Sequence, residues 1–228
     1  MDKLKLDSKK RSKLVQDVNS INTDKVWSSE KVRIWEENYK KGIDVFSSSP
    51  YRSLGGMIAI GIKKPGLRFS YTKEEIEEIK KCKNDLIYFA ETYCKILTNE
   101  GIRNIKLRDY QKRILENYVS HKYNILVASR QVGKTITTSI FLLWVALFGK
   151  NKNILITANK EDTVFEIIDK IVGIYKEIPF FLKPGVIMFN KGNIEFDNSS
   201  RIIGVSTSST PGLGFTIHVL YCDEFAYV

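Results

Sequence analysis

The sequence predicts an α/β fold, a mainly parallel sheet with helices on both faces, and three observations predict it. Short β-branched runs alternate with longer apolar ones over residues 123–177. One of them, Tyr123–Ala128, leads through a tight loop ending Gly133-Lys134-Thr135 into a long apolar stretch, Ile136–Phe148. Another, Ile217–Cys222, runs straight into two adjacent acids, Asp223 and Glu224.

The elements follow in order. Residues 1–20 are charged, with weak helical periodicity, and read as mobile or marginally ordered. Asp24–Tyr39 reads as a helix whose Trp27, Trp35 and Tyr39 form a core stripe. The segment 42–69 reads as loop, because Ser-Pro, Gly55-Gly56 and Pro65-Gly66 are turn chemistry. Thr72-Lys73-Glu74-Glu75 opens a capping box, predicting a helix to about Leu97 with Ile76, Ile79, Leu86, Phe89, Ala90, Tyr93 and Leu97 inward. A helix over 109–120, a strand over 123–128, a helix over 135–148, a strand over 153–158 and a helix over 161–177 come next. Short β elements near 185–189 and 193–196, a strand at 201–206, a Ser/Thr/Gly loop and a strand at 217–223 complete the chain. This divides it into a lid-like helical and loop extension, 1–70, and an α/β domain, 71–228.

Composition narrows the function. The 228 residues carry 36 Lys and Arg against 26 Asp and Glu, a net charge of +10 that favours a polyanionic partner. Cys82, Cys94 and Cys222 have no metal-ligand spacing, and a reduced, packed thiol is expected at Cys222. The N-terminus has no signal-peptide pattern and Ile136–Phe148 is too short to span a bilayer, so a cytoplasmic, reducing location is expected.

Strand, loop and helix together make a phosphate cradle. Backbone N–H groups of such a loop converge on an anion, and the helix adds the positive end of its dipole. Lys134 is placed to reach the β- and γ-phosphates of a nucleotide, and the Thr135 hydroxyl to hold Mg²⁺. Ala128 stands where this pattern usually has glycine. In an open α/β sheet ligands sit beyond the carboxyl ends of the strands, so Asp223-Glu224 meets the loop if the two strands are close. Asp223 then suits Mg²⁺, and Glu224 the water that attacks the γ-phosphate.

Three blocks in this order resemble the large terminase subunits of tailed bacteriophages, which pump DNA into capsids: Leu107-Arg108-Asp109-Tyr110-Gln111, Ser129-Arg130-Gln131-Val132-Gly133-Lys134-Thr135, and Leu220-Tyr221-Cys222-Asp223-Glu224-Phe225-Ala226. The likeness covers residues about 85–228. It implies a P-loop NTPase of the ASCE type, with ATP and Mg²⁺ as cofactors, Tyr110 and Gln111 at the adenine, and Ser129–Thr135 around the phosphates. A Ser-Arg-Gln loop is common in that family and accounts for Ala128. The Gln111 amide offers the donor and acceptor that an adenine edge needs. Arg130 lies where a guanidinium binds phosphate oxygens, an ion pair being the alternative. Asn198-Ser199-Ser200-Arg201-Ile202 is similar to a family hairpin whose arginine reaches a neighbouring subunit's site; an ordinary edge-strand arginine is the alternative.

The resemblance implies double-stranded DNA, a portal protein, a small terminase subunit and a homo-oligomeric ring as partners. Family members continue with a coupling motif and a metal-dependent nuclease domain, whereas this chain ends four residues past Glu224. It therefore reads as an N-terminal ATPase piece, a fragment or a separate gene product, with weak turnover. A DExx-type helicase and a nucleotide-binding assembly module without efficient turnover are the competing readings.

Overall fold

The computed structural model describes residues 26–43, 48–98, 101–206, 214 and 216–224. The reading of residues 1–20 lies outside them.

The chain begins with β1 (Val26–Trp27) and helix α1 (Ser29–Lys40), capped by the Ser28 side chain. Trp27 lies on β1, not on the helix as the sequence predicts, while Trp35 and Tyr39 do stack on α1 at 5.2 Å. The segment expected as loop holds a hairpin, β2 (Tyr51–Leu54) and β3 (Met57–Lys63), and a short β4 (Arg68–Phe69) parallel to β1. Its two-residue turn is Gly55-Gly56, both at positive φ, the geometry that matches the twist of a tight hairpin. Val32, Trp35, Tyr51 and Phe180 form a small separate core there.

The capping box at Thr72 is present and opens α2 (Lys73–Asn84). The long helix expected from it breaks at Asp85, whose side chain accepts from Tyr88 N and starts α3 (Leu86–Tyr93) afresh. An aspartate that caps a new helix competes with continuation of the old one. Leu86, Phe89 and Ala90 are buried as expected, whereas Ile76 is 43% exposed. The hairpin β5 (Lys95–Thr98) and β6 (Gly101–Asn104) follows, then α4 (Asp109–Ser120).

The rest builds the main sheet. Helix α5 (Lys134–Phe148), β7 (Asn153–Ala158), α6 (Glu161–Glu177), a 3₁₀ turn (Phe180–Leu182), β8 (Val186–Asn190), β9 (Asn193–Phe196), β10 (Arg201–Ser206) and β11 (Val219–Cys222) come in that order. The strands order as β11-β7-β10-β9-β8. β7 pairs in parallel with β10 and β11, while β8, β9 and β10 form an antiparallel meander, so the sheet is mixed rather than mainly parallel. Helices α5 and α6 pack on each other and against β7 and β10. A Cβ on Gly204 would fall 2.2 Å from Val164 Cγ1 and 2.8 Å from Ile168 Cδ1, so α6 seats directly on β10. Ile140, Leu143, Ile154, Ile156, Ile168 and Ile171 fill the core between them, each contributing roughly 1.5–3 kcal/mol of burial.

One expected strand is not formed. Tyr123–Ala128 joins no ladder, and Tyr123, Ile125 and Val127 are 83%, 95% and 93% exposed. The main sheet ends at β11, and the run pairs with neither edge. β-propensity expresses packing against neighbouring strands and a buried face. Without those neighbours a β-branched run stays open.

Candidate functional site: the phosphate loop and its carboxylate

The loop entering α5 turns on two left-handed residues, Gln131 at φ 63° and Gly133 at φ 78°. Gly133 is the N-cap of α5, and no acid stands in the first turn of that helix. Ser129, Arg130 and Gln131 are exposed, while Lys134 and Thr135 are half-buried on the first turn. Left-handed turns next to a helix start turn successive N–H groups to one side, the concavity that binds anions.

Helix α4 flanks this loop. Tyr110 donates its hydroxyl hydrogen to Val132 O at 2.6 Å. Gln111, 6% exposed, accepts from Arg108 N at 3.0 Å and donates from Nε2 to Thr137 Oγ1 at 2.9 Å. Thr137 passes its own hydroxyl hydrogen to Gly133 O at 3.0 Å. Tyr110 and Gln111 thus sit beside the phosphate loop with their polar ends turned toward it.

The acidic pair arrives on β11. Asp223 N bonds Thr157 O at 2.9 Å, continuing the ladder one residue past the strand. The Asp223 carboxylate is 8% exposed and accepts from Tyr221 Oη at 2.8 Å. Thr138, on the second turn of α5, meets Tyr118 Oη at 3.1 Å and gives its hydroxyl hydrogen to Lys134 O at 3.1 Å. Burial, then the Asp223 charge, pushes the Tyr221 hydroxyl far above its ordinary value and keeps it a donor. The Asp223 charge also reaches Tyr118, and Thr138 lies near Tyr221, so the end of β11 stands beside the second turn of α5. Glu224 follows, exposed, at φ 52°.

Arg201 is placed elsewhere. It opens β10 level with Asn153, donating from Nε to Asn153 Oδ1 at 2.8 Å. Cys222 is level with Thr157, so Asp223 lies five residues further along, about 16 Å at roughly 3.3 Å per residue. Within one chain Arg201 and the acidic pair occupy opposite ends of the parallel strands.

The oxygen donors suit a small hard cation: a half-buried threonine hydroxyl on the helix and a nearly buried carboxylate on the strand. Mg²⁺ typically takes one or two carboxylates and completes its shell with water and phosphate oxygens. Among the described residues no group of three His, Cys, Asp or Glu gathers as a metal cluster. Cys82, Cys94 and Cys222 are unpaired, and no described helix is long and apolar enough to cross a membrane.

Sequence reading missed Tyr118, Thr137, Thr138 and Tyr221. The trace was there: Thr137 and Thr138 are hydroxyl residues in a mostly apolar helix, only 0% and 2% exposed. Buried hydroxyls call for partners.

Comparison with known proteins bears on the same stretch. Residues 125–228 match the family model described as terminase large subunit, T4likevirus-type, N-terminal. The fold is similar to the crystal structure of the large terminase of bacteriophage HK97, with a TM-score of 0.52 at 18% identity. That likeness covers 61% of this chain and 30% of the HK97 chain, so this chain spans about a third of the protein it matches. Over residues 125–228, which hold the loop and the acidic pair, the chain is thus similar to the N-terminal part of terminase large subunits.

Proposed function

We propose that this chain is the ATP-hydrolysing portion of a phage DNA-packaging motor. The observation that carries the reading is the nearness of a loop with left-handed Gln131 and Gly133, leading into α5, to the buried Asp223 carboxylate at the end of β11. Ser129–Gly133 and the α5 N-terminus receive the phosphates, with Lys134 and Arg130 supplying charge to their oxygens. Thr135 and Asp223 hold Mg²⁺, which when bound neutralises charge on the β- and γ-phosphates. Glu224 orients the attacking water from its turn just beyond β11. Gln111 keeps one N–H and one lone pair beyond its two bonds, the complement that an adenine edge requires, and Tyr110 lies beside it. Arg201, far from its own acidic pair, serves a neighbouring subunit's site in a ring.

Double-stranded DNA is the polyanion that the +10 charge meets, and the portal and small terminase subunit are the packaging partners. Turnover by the isolated chain is slow, because the run entering the loop, Tyr123–Val127, stands outside the sheet. Misplacement of reacting groups by about 1 Å can reduce rates roughly 10²-fold. A turnover assay with and without duplex DNA and small subunit tests the reading: binding of Mg·ATP with slow, DNA-stimulated hydrolysis supports it. Absence of nucleotide binding overturns it.

A further inference from the structure

We infer that Tyr110, Gln111 and Thr137 are positioning residues that set the phosphate loop from the α4 side, whatever base the nucleotide carries. The inference rests on the nucleotide-binding reading and deepens it.

The loop has two flanks, and they differ. On the entry side, residues 121–130 are all exposed and join no strand, so the sheet does not hold the loop there. On the other side two consecutive carbonyls are held, one directly from α4 and one from α5 through Thr137, which Gln111 of α4 bonds. Val132 O accepts from Tyr110 Oη, and Gly133 O accepts from Thr137 Oγ1 as well as from Thr137 N at 3.1 Å. Because a trans peptide is planar, the N–H of each following residue points opposite to the carbonyl before it. Holding the carbonyl of 132 therefore aims the Gly133 N–H away from α4, and holding that of 133 aims the Lys134 N–H out beyond the start of α5. Those are the groups that meet a phosphate at a helix start.

Gln111 completes the device. Its Nε2 holds the Thr137 hydroxyl so that the hydroxyl hydrogen faces Gly133 O. It also lies where a Cβ on residue 133 would come, at 3.0 Å, so it closes the space beside the left-handed Gly133. All three contacts are to backbone or to α5, and none involves a base.

The test uses Thr137→Val, which keeps the buried shape and loses the hydroxyl, Tyr110→Phe, and Thr137→Ser as rescue. Backbone hydrogen exchange is measured on the nucleotide-free proteins. Binding of ATP, GTP and inorganic tripolyphosphate is measured by competition with a fluorescent ATP analogue. The expected result is faster exchange confined to residues 129–135 in Thr137→Val and Tyr110→Phe. Each variant should lose about tenfold in affinity for all three ligands alike, the loss of one engaged buried partner. Thr137→Ser should restore both readouts. Unchanged exchange, or a loss confined to ATP, overturns the inference. If the unaltered protein binds none of the three ligands, the nucleotide reading fails, and exchange in the free proteins still decides the loop's anchorage. Should Thr137→Val not fold, Tyr110→Phe carries the comparison alone.

Discussion

Tyr221 on β11 and Asp223 just past its end share a hydrogen bond of 2.8 Å that ties a nearly buried carboxylate to a phenol. Alternate residues of a strand share a face, so this contact follows from the pleat. Groups that hydrogen-bond a metal-binding carboxylate orient it and typically matter by about 10–100-fold in metal affinity. Tyr221→Phe should therefore raise the Mg²⁺ concentration needed for half-maximal nucleotide binding by about tenfold. A Mg²⁺ titration of fluorescent-nucleotide binding checks this, and an unchanged midpoint would remove Tyr221 from the site.

Lys134 and Glu224 should separate in their effects. Lys134→Ala is expected to abolish binding of the triphosphate, since the α5 first turn carries no other cation. Glu224→Gln should still bind Mg·ATP while hydrolysis falls by orders of magnitude, because only the orientation of water is lost. Equilibrium binding and single-turnover hydrolysis on both variants distinguish the roles. Equal loss of binding would contradict them.

The placement of Arg201 level with Asn153, five residues short of Asp223, makes a mixing experiment decisive. Arg201→Ala and Glu224→Gln should each be nearly inactive. Mixed, they form interfaces that pair an intact Glu224 with a neighbour's intact Arg201, and turnover should recover in part. No recovery at any ratio, with oligomers confirmed by light scattering, would show that Arg201 does not act across subunits.

Stability should pass through a crest with pH. Burial lowers Lys183 to about 7 and Lys63 to about 8, while their unfolded values lie near 10.4. Above pH 7 the unfolded chain thus binds protons that the native chain has released, and stability rises with pH. The three thiols act oppositely: burial raises Cys82 to about 12 and also raises Cys94 and Cys222. Above roughly pH 8.5 the native chain holds protons that unfolded thiols have lost, and stability falls. The thermal midpoint should climb from about pH 7 to about 8.5 and then decline. Lys183→Met should flatten the climb; an equally steep climb in that variant would assign it to other groups.

The sequence was most legible where local chemistry and tertiary context agree. The Thr72 capping box, the helix over 109–120 and the strand over 153–158 all formed, each with its own start or an unbroken buried run. Legibility failed in two opposite ways. Gly55-Gly56 was read as loop because turn residues outweighed the short strands beside them, although two left-handed glycines are also a hairpin's turn. Tyr123–Val127 was read as strand because its residues suit one, but a strand exists only with a partner, and partners are not written locally. The site shows the same division. Lys134, Thr135, Asp223 and Glu224 are recognisable by type and spacing, whereas Thr137, Thr138 and Tyr221 gain their meaning from neighbours distant in sequence.

A cradle anchored on one flank makes ligand capture a partial folding reaction. If nucleotide binds as proposed, with Ile125 and Val127 in water, part of the intrinsic affinity would go to ordering the entry segment, and the observed affinity would be scaled by the fraction of molecules already in the receptive arrangement. Calorimetry should then record a strongly favourable enthalpy opposed by entropy, with a negative heat-capacity change as apolar surface is covered. Any polypeptide laid along that open run would tighten nucleotide binding without touching the nucleotide, which is thermodynamic coupling in its plainest form.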